Sequence, residues 1–301
     1  MTWPLLIVVW LCWGLSYPFM AWTLEAVDLI TARLLANAGA GTLLLLLCLR
    51  EPGRRVLLRR EEWRGVLVLS LLVMAVFPFA LIAGVMLVGP GQAAILNYTM
   101  PVWASLLAVP VLGERLDRRT LAALGLGLAA VLLVLAGTVG PGGPSGLGVA
   151  LGLVAGATFG AGTVFAKKLR FRSPVLLTTA WQLLLGTPPA FAVWLLLYDH
   201  TYWHPDAGRG LFGLFYMVVF ANALAYAAWF PVVGRLKASV ASLSLLVVPC
   251  IGVASSALLV ERRIGPFDVA ALACVLGAIA LVVRRPAAAP AATEEGPRQS
   301  G

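Results

Sequence analysis

The stretch NYTMPVWASLLAVPVLGERL, residues 97–116, is apolar for most of its length, yet Asn97, Tyr98, Thr99 and a helix-breaking Pro101 open it and Gly-Glu-Arg-Leu closes it. Its meaning depends on what surrounds it. The 301-residue chain is 61% hydrophobic and only 12% charged, with a mean hydropathy of +0.94, whereas a soluble domain carries about 25% charged residues. Such a chain cannot cover a water-facing surface, and it reads as a polytopic membrane protein.

An apolar helix of about 20 residues spans a bilayer. Candidate spans lie at 4–23, 29–49, 64–86, 91–111, 121–138, 147–167, 174–197, 210–231, 238–259 and 267–283, and 286–301 reads as a disordered tail. No Lys or Arg precedes the first apolar run, so it is expected to stay as a helix rather than be cleaved as a secretory signal. With the N-terminus inside, the inner connections and tail carry 18 Lys and Arg and the outer connections 3, namely Arg209, Arg262 and Arg263. This bias predicts ten helices with both termini cytoplasmic. It also accounts for the net charge of +9 without nucleic acid, because the basic residues lie in short runs between apolar segments.

The chain repeats itself. Pro101 is followed 21 residues later by Ala122-Ala123-Leu124, and Pro249 by Ala270-Ala271-Leu272 at the same distance, an offset of 148. CWGLSYPF at 12–19 aligns with TFGAGTVF at 158–165 at an offset of 146. Five helices per half is an odd number, so the halves must be inverted in the membrane. The neutral 87–90 connection and its basic partner GRLKA at 234–238 agree with that inversion. The expected fold is therefore all-α and integral to the membrane: ten helices as two inverted five-helix repeats at 1–138 and 147–285, joined by a loop at 139–146. Inverted repeats are a transporter architecture, with the substrate site near the midplane between them.

Several pieces resemble the EamA-type members of the drug/metabolite transporter superfamily: WG at 13–14, Arg33 early in the second helix, the 97–116 stretch, WQLLLG at 181–186, and ASVASLSLLVVPCIGVASSALLVER at 238–262. The Pro-to-Glu stretches are the most specific. In the second, Glu261 follows Pro249 by 12 residues rather than the 13 between Pro101 and Glu114, and no Gly precedes it. The resemblance implies a ten-helix inner-membrane carrier, commonly an exporter of metabolites, amino acids or drugs.

Candidate substrate-binding residues follow from polar or aromatic side chains at mid-span. On a helix Gly91, Ala94, Tyr98, Pro101 and Ser105 share a face, and Ser239, Ser242, Leu246, Pro249 and Val253 form its partner. Each face joins small residues to a proline, and Pro101 and Pro249 are expected to bend their helices around a cavity to which Asn97 and Tyr98 bring polar atoms. Close helix packing by the small residues is the alternative. Trp10, Trp13 and Tyr17 recur at helical spacing in the first helix, with Phe159 and Thr163 as the repeat partners of Trp13 and Tyr17. Asn222, Tyr226 and Trp229 share a face of the eighth helix, and Trp181 and Gln182 begin the core of the seventh. Arg33 reads either as an anchor snorkelling to the outer interface or as a gate or anion contact.

No Asp, Glu or His lies in the interior of a span. A membrane enzyme acting on lipid phosphates needs clustered carboxylates or a nucleophile with a base, so an enzyme is not expected. His200 and His204 in the DHTYWHPD loop read as solvated, the four cysteines lack metal-site spacing, and no metal or cofactor is expected. The sequence thus predicts a carrier in the bilayer working by alternating access, with a small neutral or zwitterionic substrate such as an aromatic or bulky amino acid. Export of amphipathic drugs from the same cavity is the rival. Topology is checked by reporter fusions at residues 58 and 203, which are expected to report opposite sides; equal signals would contradict ten spans.

Overall fold

In hydrocarbon every backbone N–H and C=O must find a partner within the protein, so apolar runs of this length form helices. The computed structural model describes residues 2–50, 56–88, 96–97, 99–138, 146–197, 199, 202–204, 207–259 and 266–283. Ten helical segments fill them. They are α1 (Thr2–Ala26) and α2 (Leu29–Leu49), then α3, which runs as Trp63–Leu69, Ser70–Val76 and Phe77–Val88. Next come α4 (Met100–Leu112), α5 (Arg118–Thr138) and α6 (Gly146–Leu169). The last four are α7 (Val175–Leu185 then Thr187–Leu196), α8 (Gly208–Arg235), α9 (Ala238–Ser244 then Val247–Leu259) and α10 (Pro266–Val283). The described residues hold no strand, only an isolated antiparallel bridge between Val27 and Trp203. Tyr98, His200, Glu261, the 139–145 connection and the 286–301 tail lie outside the described residues.

The packing follows the repeat. Helix α1 packs on α8 and α9, and α6 packs on α3 and α4; α2 pairs with α7, and α5 with α10. Exchanging the first five helices for the last five maps these pairings onto one another. The match reaches single residues. A Cβ on Gly160 of α6 would lie 2.9 Å from the Met100 carbonyl and 3.0 Å from the Trp103 Cβ of α4, and one on Gly14 of α1 would lie 2.5 Å from the Ile251 Cβ and 3.4 Å from the Val248 carbonyl of α9. Met100 and Trp103 stand at the repeat offset from Val248 and Ile251. Glycine at these two places is what lets the backbones approach.

Helix irregularities are paired as well. Ser70–Val76 of α3 and Met217–Leu224 of α8 are wound as π-helix, at equivalent positions of the two halves. Helix α4 begins at Met100 after a turn at Thr99, and α9 is interrupted at Leu245 and Leu246. Pro101 therefore sits in the first turn of a new helix, where its missing N–H costs nothing, rather than bending a continuous one.

At one end of the bundle, carboxylates hold loops onto helix starts. Helix α4 closes on Gly113 in the left-handed conformation (φ 66°), with Glu114 N–H donating back to the Ala108 carbonyl at 3.2 Å. Gly113 thereby turns Glu114 toward the start of α9. Its carboxylate accepts from Ala238 N–H at 2.7 Å, Ser239 Oγ at 2.9 Å and Lys167 Nζ of α6 at 3.1 Å. Lys167 also donates to the Leu236 carbonyl. Glu62 does the same for the approach to α7, accepting from Arg172 N–H at 2.5 Å, Ser173 N–H at 2.9 Å and Ser173 Oγ. At the opposite end Asp28 caps α2 through Ile30 and Thr31 N–H, both at 2.9 Å, and accepts from Tyr202 N–H.

Burial alone would raise the Glu114 carboxyl. The Ala238 N–H, then Lys167 and Ser239, outweigh it and hold the group below its ordinary value. A depressed carboxylate contributes stability above the unfolded value, ~4.3 for glutamate, and that stability is lost as pH falls through the folded value. Glu114→Gln is expected to cost about 1.5–3 kcal/mol at neutral pH, the worth of hydrogen bonds to a charged group, and to shrink the acid loss of thermal stability relative to the unsubstituted protein. A melting curve taken from pH 7 to pH 3 on both proteins checks this.

Candidate functional site

Between the halves lies a cavity of about 330 Å³, at the lower end of the ~300–1,000 Å³ range of small-molecule sites. Helix α1 contributes Trp13 and Tyr17, α2 contributes Arg33, α6 Phe159, and α8 Asn222 and Tyr226, while Asn97 comes from the turn before α4. The cavity lies toward the Asp28 end of the bundle: it is reached by Leu24 and Leu29, which flank the α1–α2 turn, and by Leu81 late in α3. Toward the Glu114 end the space is filled instead by packed Leu6, Val9, Val232 and Val233, with Leu236 against them.

Trp13 organises one wall. Its ring centroid lies 5.3 Å from that of Tyr226, 5.7 Å from Trp229 and 6.0 Å from Phe159, all edge-on or tilted. Phe77 of α3 meets Phe159 at 5.1 Å. Rings from α1, α3, α6 and α8 thus meet at one place. The indole N–H of Trp13 donates to the Ala221 carbonyl at 2.8 Å, within the π-helical turn of α8. Asn222 Nδ2 donates to the Met217 carbonyl of the same turn at 2.7 Å. The sequence offers these groups as substrate contacts. In this structure the indole N–H and this amide N–H serve carbonyls of a π-wound turn, while both residues still line the cavity.

Other polar atoms around the cavity are unspent. Among the described residues Asn97 Oδ1 and Arg33 Nε are buried without a hydrogen-bond partner. Arg33 lines the cavity, and among the described residues no carboxylate stands within ion-pair distance of it.

The remaining sequence candidates lie elsewhere. Trp229 is 1% exposed and packs beneath Trp13 and Phe159 without lining the cavity. Trp10 sits one turn earlier in α1, its Nε1 buried without a partner, and meets Trp3 edge-on at 6.5 Å. Thr163 returns its hydroxyl to the Phe159 carbonyl at 3.1 Å. Trp181 donates to the Val56 carbonyl at 2.9 Å and packs on Trp63 at 4.9 Å, at the Glu62 end. Gln182 is fully buried with both side-chain polar atoms unpaired, while its carbonyl accepts from Ser70 Oγ at 2.7 Å. Pro101 is buried at the start of α4, and Pro249 lies within the second helix of α9. The sequence reading missed Met20, Met100, Met217 and Phe77, which line the cavity. Methionine in an apolar span carries no pattern that separates a wall from a core, although its adaptable side chain suits a cavity that must fit varied shapes.

Comparison with known proteins agrees with this architecture. Residues 2–136 and 146–284 each match the EamA-like transporter family. Over 251 residues the chain is 26% identical to the uncharacterized transporter YoaV of Bacillus subtilis (strain 168), covering 81% of this chain and 83% of that protein. It is 29% identical over 183 residues to a protein of Escherichia coli (strain K12) named "Probable amino-acid metabolite efflux pump", covering 58% and 60% of the two chains. One crystal structure superposes with a TM-score of 0.78 at 18% identity, over 92% of this chain and 94% of that one.

Proposed function

The chain belongs to the EamA-like transporter family and is a multi-pass membrane transporter; from that premise we propose that it exports small metabolites, amino acids foremost, across the cytoplasmic membrane by alternating access. The excess of Lys and Arg in the connections at the Glu114 end makes that end cytoplasmic. Both termini are then inside. The cavity lies nearer the other side, and the cytoplasmic side is filled by the Leu6, Val9 and Val232 packing and tied by the Glu114 and Glu62 contacts; on this reading the state is outward-facing. Movement of the halves about the paired breaks in α4 and α9 would expose the same cavity to the cytoplasm.

The observation that carries this reading is the aromatic wall of Trp13, Phe159, Phe77 and Tyr226 in a cavity that Arg33 and Asn97 also line, the Arg33 Nε and Asn97 Oδ1 having no hydrogen-bond partner among the described residues. An apolar wall with a few convergent polar groups is how a small-molecule site holds and orients its ligand. It fits an amino acid with an aromatic or bulky side chain. The name of the Escherichia coli relative points to the same class of cargo.

Counterflow in proteoliposomes with labelled aromatic and bulky amino acids tests the reading, with cationic dyes as the competing cargo. Trp13→Ala is expected to raise the apparent KM for an aromatic amino acid several-fold, because an aromatic contact is worth about 0.5–1.5 kcal/mol beyond its area and each 1.4 kcal/mol is tenfold. Trp13→Phe should fall between. Leu106→Ala, on a lipid-facing side chain that is 57% exposed, should leave KM unchanged. Unchanged KM in Trp13→Ala with normal turnover would mean that the wall does not touch the cargo.

A further inference from the structure

We infer that the cavity recognises the two charged ends of a free α-amino acid, with Arg33 holding the carboxylate and the Asn97 side-chain oxygen receiving the ammonium. This rests on the transport reading above and deepens it: the cargo must carry a free carboxylate, and cations without one are excluded.

The starting point is electrostatic. Arg33 is the only basic residue away from the ends of a candidate span. A charge at membrane depth is costly and is normally paired or hydrated. One explanation without a ligand is that its long stem carries the guanidinium to the lipid headgroups. In the structure Arg33 lines the cavity instead. The nearest acidic residue in sequence, Asp28, has its oxygens engaged by Ile30, Thr31 and Tyr202 N–H. Glu25, one turn before it, is paired to Arg209, with one contact at 3.0 Å. Neither of these carboxylates is paired with Arg33. The Arg33 guanidinium interacts with the Tyr226 phenol, while its Nε has no hydrogen-bond partner among the described residues; a guanidinium is a planar fork that matches a carboxylate in two parallel hydrogen bonds.

Asn97 supplies the second pole. Among the described residues its buried Oδ1 has no donor, and those that line the cavity include no Asp, Glu or His. An unpaired buried acceptor is costly, and an ammonium brings three donors to it. Thr99 leaves the Asn97 side chain free for this role, because the Thr99 hydroxyl itself closes the local turn on the Leu96 carbonyl at 2.6 Å and accepts from Trp103 Nε1 at 3.1 Å. Arg33 enters from α2 of the first half and Asn97 from the turn before α4, while Trp13 and Phe159 form the apolar wall between the halves. A carboxylate, an ammonium and a bulky side chain have three chemically matched receivers in one cavity. A cationic amphiphile would meet Arg33 with like charge and leave it unpaired.

The test is competition against labelled phenylalanine counterflow in proteoliposomes, using unlabelled phenylalanine, its carboxamide, phenethylamine and 3-phenylpropionate. In the unsubstituted protein the carboxamide and the amine should compete about tenfold or more weakly than phenylalanine, the scale of losing a charge-assisted pair. Arg33→Gln should raise the phenylalanine KM by a similar factor and abolish the discrimination against the carboxamide, and Arg33→Lys should restore part of both. Asn97→Leu should abolish the preference for phenylalanine over 3-phenylpropionate while keeping the discrimination against the carboxamide. A purely structural role for Arg33 would lower yield and melting temperature without moving these ratios. If the unsubstituted protein prefers phenylalanine and Arg33→Gln keeps both its KM and its discrimination, the Arg33 assignment is wrong while amino-acid transport stands. If the unsubstituted protein carries the amine or dyes and refuses free amino acids, the transport class and this inference fall together.

Discussion

Every backbone polar group in the hydrocarbon layer must be satisfied from within the protein, and this chain complicates that demand by winding two of its central helices irregularly. Each irregular turn alters the hydrogen-bond ladder, and interior polar side chains are found on its carbonyls. Trp13 and Asn222 donate to Ala221 and Met217 in the π-wound turn of α8. Asn37 donates to Met74 in the equivalent turn of α3 at 3.2 Å. Tyr216 reaches back to the Cys12 carbonyl of α1 at 3.1 Å, and Thr99 to Leu96 before α4. The same turns shape the cavity. A π turn widens the helix locally and turns its carbonyls aside, so the groups that satisfy the backbone and those that line the cavity are neighbours, and in Trp13 and Asn222 they are the same residues.

Much of the fold was legible before any coordinates, because length and hydropathy report spans directly and the 148-residue offset reports the repeat. Gly14 and Gly160 show how far that legibility reaches. The match of CWGLSYPF to TFGAGTVF pairs them, and both sit where a Cβ would collide with the facing helix. The candidate site was legible in part. Helical spacing placed Trp13, Tyr17, Phe159, Asn222 and Tyr226 on faces that line the cavity. The spacing failed to separate Trp10 and Trp229 from them, since a residue one turn along the same face lies at another depth and packs in the core. It also failed for WQLLLG, whose Trp181 is held at the Glu62 end by the Val56 carbonyl, because a lone polar pair in an apolar run does not say which neighbour it meets. The π turns were invisible for a similar reason: SLLVMAV and MVVFANAL contain no residue that demands them.

The Glu114 contacts explain why the most specific stretch of the sequence ends as it does. Gly113 supplies a left-handed turn, and Glu114 then meets the first N–H groups of α9 and the Lys167 ammonium of α6. One carboxylate thus ties together three helices from both halves at the end where the cavity is shut.

The central claim is that the space between Trp13, Arg33 and Asn97 is where cargo sits. Thiol accessibility tests it most directly. In a chain whose four cysteines are replaced, Met20→Cys places one thiol on the cavity lining. A membrane-impermeant thiol reagent applied from the outside should label it, and a saturating transported amino acid should slow that labelling several-fold. Labelling at the same rate with and without a substrate that the same protein demonstrably transports would contradict the claim.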